Sequence, residues 1–118
     1  MTTKEVADLL VSMCREGKVE EAKQQLFTGE TISIEPAEGI LPKEVKGLEA
    51  IQDKAALFIS MVQEFYGSTI TGPVIAGDYF SIAWDTDIQM KGEERKTMSE
   101  ICLYKVKDDK IVSEQFFY

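Results

Sequence analysis

The sequence predicts an α+β fold: a curved antiparallel sheet wrapped around a long helix, with two further helices near the N-terminus. Three observations predict it. The stretch from about Ser68 to Tyr118 reads as four consecutive strands, parted by short turns at Gly77-Asp78, Lys91-Gly92-Glu93 and Asp108-Asp109. Within it, Phe80, Ile82, Trp84, Ile88 and Met90 share one parity, while Ser81, Ala83, Asp85, Asp87 and Gln89 share the other. That period of two marks a strand with one face on a core. Ahead of the strands, apolar residues recur at helical spacing and supply the cover such a face needs. Turns this short make the strands antiparallel. A strongly twisted sheet curling around the long helix encloses a cone with one open end, the natural form of a small pocket.

Each element has its own signal. Thr2 and Glu5 have capping-box spacing, and Val6, Leu9, Leu10 and Met13 follow as a helical stripe widened by Ala7, Val11 and Cys14. Gly17 ends this helix. A second helix, Val19 to Phe27, buries Val19, Ala22 and Leu26 and closes at Gly29. Thr31 to Glu35 is a short strand stopped by Pro36, which has no N–H for a ladder. Ala37 to Lys46 reads as a loop whose Ile40-Leu41 tip folds back over something apolar. The long helix is expected over Leu48 to Phe65, with Ile51, Ala55, Phe58, Ile59, Val62 and Phe65 on its apolar face. Pro73 marks an edge position or a bulge in the first long strand. The last strand, Lys110 to Tyr118, carries aromatics on both faces, so a partner subunit is expected over one of them.

Composition narrows the function. With 118 residues the chain is expected to form a single domain, 1–118. Twenty-one acidic against thirteen basic residues give a net charge of -8, which argues against nucleic-acid and anionic-membrane partners. There is no histidine, which removes the usual zinc ligand, the usual neutral-pH base and any Ser-His or Cys-His nucleophile pair. Cys14 and Cys102 read as buried thiols of a reducing compartment, with a lone disulfide as the alternative. No signal-peptide pattern and no membrane-length apolar run is seen, so a cytoplasmic protein is expected. No metal or cofactor is called for; Asp85 and Asp87 lack a third ligand and read as a solvated face.

The chain resembles the nuclear-transport-factor-2-like superfamily, the cystatin-like cone (an α+β barrel) that includes SnoaL-type polyketide cyclases and ketosteroid isomerase. The resemblance covers nearly the whole chain. It rests on the Glu16-Gly17-Lys18 break, the Ile32-Ser33-Ile34-Glu35-Pro36 strand and the Lys46-Gly47-Leu48-Glu49-Ala50-Ile51 helix start. The Ala76-Gly77-Asp78-Tyr79-Phe80-Ser81-Ile82 turn and the closing Asp109-Lys110-Ile111-Val112-Ser113-Glu114 complete it. The resemblance implies that Glu35, before Pro36, holds the place of the isomerase general base. The place of the phenolic donor on the first helix falls near Leu10, which has no hydroxyl. The place of the acid donor falls near Cys102 or Glu100.

These positions define the expected site. Glu35 shares a side with Thr31 and Ser33, opposite Ile32 and Ile34, and the family geometry turns that side toward the cone. Desolvation there would raise its pKa and suit it to take a proton alpha to a carbonyl; a solvated strand-end carboxylate is the other reading. Glu100 lies on one parity with Met98, Cys102, Tyr104 and Val106, either lining the pocket or on a face packed against a second copy. Facing each other, Glu35 and Glu100 would part their pKa values into one base and one acid. Trp84 and Tyr104 are expected as walls or as core. Leu10, Cys14, Cys102 and Phe58 complete the apolar lining, with Cys14 read as a structural thiol.

The function expected is a pocket for a small apolar molecule, with proton-transfer chemistry of the isomerase, cyclase or lyase kind on a carbonyl-bearing substrate. A non-catalytic binding or homodimerisation module of the same fold is the alternative. The outer sheet face, with Tyr79, Ala83, Ile101, Leu103 and Phe117 among polar residues, is expected to pair two copies.

Overall fold

The computed structural model describes residues 1–118. Helix α1 (Thr3–Arg15) starts at Thr2, whose side chain accepts from the Glu5 N–H while the Glu5 carboxylate accepts from the Thr2 N–H. Helix α2 (Val19–Leu26) follows, then strands β1 (Ile32–Ile34) and β2 (Glu44–Lys46), helix α3 (Leu48–Ser60), and strands β3 (Val62–Ala76), β4 (Tyr79–Met90), β5 (Arg95–Lys107) and β6 (Lys110–Phe117). The last four form the expected antiparallel meander. Its turn at Asp108-Asp109 holds both residues at positive φ, the left-handed geometry that aspartate tolerates and a tight hairpin demands.

The structure differs from the sequence-based expectation in its sheet, in its long helix and in which helix covers the sheet. The sheet is neither wholly antiparallel nor closed into a strongly curled cone or barrel. It is an open, mixed sheet in the order β2-β1-β6-β5-β4-β3, in which β1 runs parallel to β6. Closure needs two edge strands that meet in register. Here one edge is β2, three residues long, and the other is the fifteen-residue β3 at the opposite end of the sheet. Strand β2 itself lies inside the stretch expected to be loop. The second difference is the long helix, which ends at Ser60 rather than Phe65. Val62 already pairs with Met90 and Phe65 with Ile88, so ladder bonds take over where helical spacing alone runs on.

The helix covering the sheet is α1 and not the long helix that the sheet was expected to wrap: α1 packs against β3, β4 and β5 and buries Val6, Ala7, Leu10, Val11 and Cys14. Helix α3 packs on β2 and α2 and buries only Ile51 and Lys54, leaving Leu57 and Ile59 exposed. The core joins α1, α2 and the inner sheet face, with Phe80 and Tyr104 stacked at 4.8 Å between ring centres. Ile88 and Met90 are also buried but stand apart from that cluster. Between the two buried regions, on the same parity of β4, Trp84 and Thr86 are only half-buried, opposite Glu100 and Met98 of β5. The inner face thus has two packed ends and a half-open middle.

Candidate functional site

The half-open middle is where ionisable groups converge. Strand β1 brings the first of them. Thr31, Ser33 and Glu35 are buried on its inner side, while Ile32 and Ile34 are half-buried on the other. The Glu35 N–H bonds to the Lys43 carbonyl at 2.7 Å, which extends the β1–β2 ladder and fixes the carboxylate inward. Helix α3 brings Lys54. Gly47 sets the start of that helix with a φ of 97°, and a Cβ there would stand 3.0 Å from the Gly29 carbonyl oxygen. Lys54 sits one turn beyond the buried Ile51, on the same face.

The result is a continuous buried network. Lys54 Nζ donates to Ser33 Oγ at 2.6 Å and to Glu35 Oε2 at 3.1 Å. The Ser33 hydroxyl donates in turn to Glu114 Oε1 at 2.7 Å. The Tyr118 hydroxyl donates to Glu35 Oε1 at 2.9 Å. Phe116 lies under the ammonium, 5.2 Å from its ring centre. The Lys54 and Glu35 side chains are each 8% exposed, so this ion pair is largely out of water. Such a pair holds when further hydrogen bonds complete it, and here Ser33 and Tyr118 do so.

Glu100 joins the network electrostatically. It is half-buried, and its one hydrogen bond comes from the Cys102 thiol at 3.6 Å. Burial, helped by the neighbouring charges of Glu35 and Glu114, pushes its carboxyl up to about 7, against the pull of Cys102 and Lys54. Burial likewise raises the Glu114 carboxyl, although its bond from Ser33 opposes the shift. Burial and the bond to Glu35 push the Tyr118 phenol up to about 12.

The structure therefore gathers Glu35, Glu100 and Trp84 around the half-open middle. Phe58 is half-buried on α3. Leu10, Cys14, Cys102 and Tyr104 are packed inside the main core. Sequence reasoning missed Lys54, Ser33, Glu114 and Tyr118. The signal for Lys54 was a lone cation on the Ile51–Ala55–Phe58 stripe; that for Glu114 was hidden by a register shift between Lys105 and Val106. No group of three or more metal-ligating side chains is arranged to hold an ion, and no helix is long and apolar enough to cross a membrane. Two shallow surface depressions lie elsewhere, one beside Arg15 and Pro73 and one between Met1 and the Asp108-Asp109 turn.

The family model described as the SnoaL-like domain matches residues 1–118. The chain belongs to the SnoaL-like family. This SnoaL-like protein is 31% identical to a Mesorhizobium loti protein whose name provisionally carries SnoaL-like polyketide cyclase, with carbohydrate phosphatase in brackets. All of each chain is covered, with a TM-score of 0.93. A Xanthomonas campestris protein of unknown function with a cystatin-like fold is 17% identical over 99% of this chain and 90% of its own, at a TM-score of 0.83. A Catenulispora acidiphila protein with a ketosteroid isomerase-like fold, in complex with trimethylamine, is 17% identical over 97% of this chain and 85% of its own, at 0.73. At those lower identities the likeness carries the fold alone, which is that of the nuclear-transport-factor-2-like superfamily. No functionally curated protein matches the sequence.

Proposed function

We propose that this SnoaL-like protein moves a proton on a small, largely apolar, carbonyl-bearing molecule held in the half-open middle of the inner face. The observation that carries the reading is the placement of Glu100: a half-buried carboxyl opposite Trp84, pushed up to about 7 by burial and within the field of the Lys54 ammonium. A base is most effective when its pKa lies near the working pH. The ionised Glu100 takes the proton from the carbon next to the carbonyl. Negative charge then grows on the carbonyl oxygen, and a fixed cation in a partly dry site stabilises it strongly. Lys54 has three N–H donors and uses two on Ser33 and Glu35, so one remains for that oxygen. Protonated Glu100 then returns the proton to another atom of the same molecule, which is isomerisation, cyclisation or elimination according to the substrate.

Glu35 takes a different part from the one its sequence position suggested. Both its oxygens are engaged, one by Lys54 and one by Tyr118, so it holds the ammonium in place rather than accepting a substrate proton. The polyketide name of the Mesorhizobium loti relative supports a carbonyl substrate.

The test is a nitrobenzisoxazole, whose ring opens to a coloured phenolate when a base removes its carbon-bound proton. Ring opening is expected to rise with pH through about 7 and to vanish in Glu100→Gln. A rate unchanged by that substitution would remove Glu100 as the base, and no ring opening in the wild type would leave a binding module without chemistry. Pairing of two copies through the outer face belongs to the same proposal: Tyr79, Ile101 and Phe117 are exposed there. Sedimentation of the wild type beside Ile101→Lys tests it.

A further inference from the structure

Strand register sets Glu100 between two aromatic residues, Trp84 and Tyr118. Trp84 is its direct partner in the β4–β5 ladder, on the same inner face. On the other side, β5 and β6 pair Cys102 with Phe116 and Ile101 with Phe117, so the chain leaves β6 with Tyr118 beside Glu100. The Tyr118 side chain turns inward, since its hydroxyl reaches Glu35, and its phenol feels the Glu100 charge. Partners directly opposite in a sheet stand about 5 Å apart between Cβ atoms. One carboxylate is therefore flanked by an indole and a phenol, in a stretch of the inner face open enough that Tyr118 is 66% exposed.

No cation of the protein is hydrogen-bonded to that carboxylate. Lys54 is bound to Glu35 and Ser33, and the one bond Glu100 accepts is from a thiol. A carboxylate in a partly dry setting costs free energy unless it is paired or protonated. Aromatic faces, in turn, attract cations and do so best when water is excluded. Both groups ask for the same occupant.

We propose that the slot formed by Trp84, Glu100 and Tyr118 binds an organic cation, an alkylated ammonium with an apolar body. This deepens the proton-transfer reading and rests on it in one respect, that the hollow admits a small molecule. An amine-bearing carbonyl compound satisfies both: its ammonium lies in the slot and its carbonyl oxygen meets Lys54. The ionisable groups facing Glu100 are Glu35 after β1, Lys54 on α3, Glu114 on β6, Tyr118, and Cys102 and Tyr104 on its own strand. A bound cation adds positive charge to that set, so its binding below neutral pH releases the proton Glu100 holds.

The experiment is calorimetric titration of the whole protein with choline and with its uncharged isostere, the alcohol carrying a tert-butyl group in place of trimethylammonium. Choline is expected to bind about tenfold more tightly, with proton release at pH 6 seen as a dependence on buffer ionisation heat. Glu100→Gln, which keeps the volume, and Trp84→Leu are each expected to abolish the preference. Equal binding of the two compounds, or none of either, overturns the inference. A preference that persists in Glu100→Gln overturns it too. Equal binding leaves nitrobenzisoxazole opening untouched, whereas lost ring opening with the cation preference intact removes the proton-transfer reading alone.

Discussion

Lys54 of α3 and Glu35 beyond β1 meet at 3.1 Å with both side chains almost wholly withdrawn from solvent. The contact ties the helix that packs beside the sheet to the strand that runs parallel to β6. It also fixes an ammonium whose charge reaches Glu100.

Removing one partner of this pair leaves the other charged, buried and unmatched. Lys54→Ala and Glu35→Ala are each expected to destabilise the fold by about 3–5 kcal/mol in urea unfolding. Lys54→Met combined with Glu35→Leu should recover much of that loss, because two apolar groups carry no desolvation cost. A double variant as unstable as the singles would show that the pair is not energetically coupled.

Stability is expected to fall as pH rises toward neutrality. Glu100 has its folded pKa raised to about 7, above the ordinary carboxyl value of 4.5. The folded state therefore holds a proton that the unfolded chain has released. The stabilisation is complete below about 4.5 and is lost as pH climbs through about 7. Glu114, raised in the same direction, steepens the trend. Denaturation midpoints from pH 5 to 8 should show the slope, and Glu100→Gln should flatten part of it.

The two long helices should respond differently to truncation. Leu10 of α1 is buried on the sheet, whereas Leu57 of α3 is 40% exposed. Leu10→Ala should cost about 2–5 kcal/mol, and Leu57→Ala under about 1 kcal/mol. Equal costs would mean that α3 shares the covering role.

Gly47 should resist replacement. Alanine there meets both the positive φ and the Gly29 carbonyl 3.0 Å away. Gly47→Ala is expected to lower stability by about 1–3 kcal/mol and, by shifting the start of α3, to disturb Lys54. A crystal structure of the variant with the Lys54–Glu35 distance unchanged would separate strain from displacement.

The thiols supply a simple check on packing. Burial pushes Cys14 up to about 11 and raises Cys102 further, and both are buried. Neither should react with a disulfide reagent in the native protein, and both should react in denaturant. Rapid native labelling of either would place a channel where close packing is described.

Much of this was legible in the chain. Strict alternation from Phe80 to Met90 located β4, and a capping box with a helical stripe located α1. Pro73 marked what β3 shows, an edge strand with a register shift between Thr71 and Val74. Glu100 stood out because its parity put a charge on an apolar stripe, and Glu35 because the family resemblance sets it at the place of a base. The parallel pairing of β1 with β6 was not legible, since Ser33 and Glu114 are far apart in sequence and nothing local encodes their meeting. Nor was the end of α3, because Phe58, Val62 and Phe65 keep helical spacing across the change to strand. Lys54 escaped notice because a helical stripe is read by its apolar members, and a long cation on it passes for a solvated neighbour.

Strand β3 breaks register with β4 at three places along its length, and β2, at the far border, is only three residues long. Neither border offers the straight row of free amides on which a neighbouring chain could extend the sheet. Irregularity at one margin and brevity at the other are the devices by which edge strands discourage pairing with a neighbouring chain.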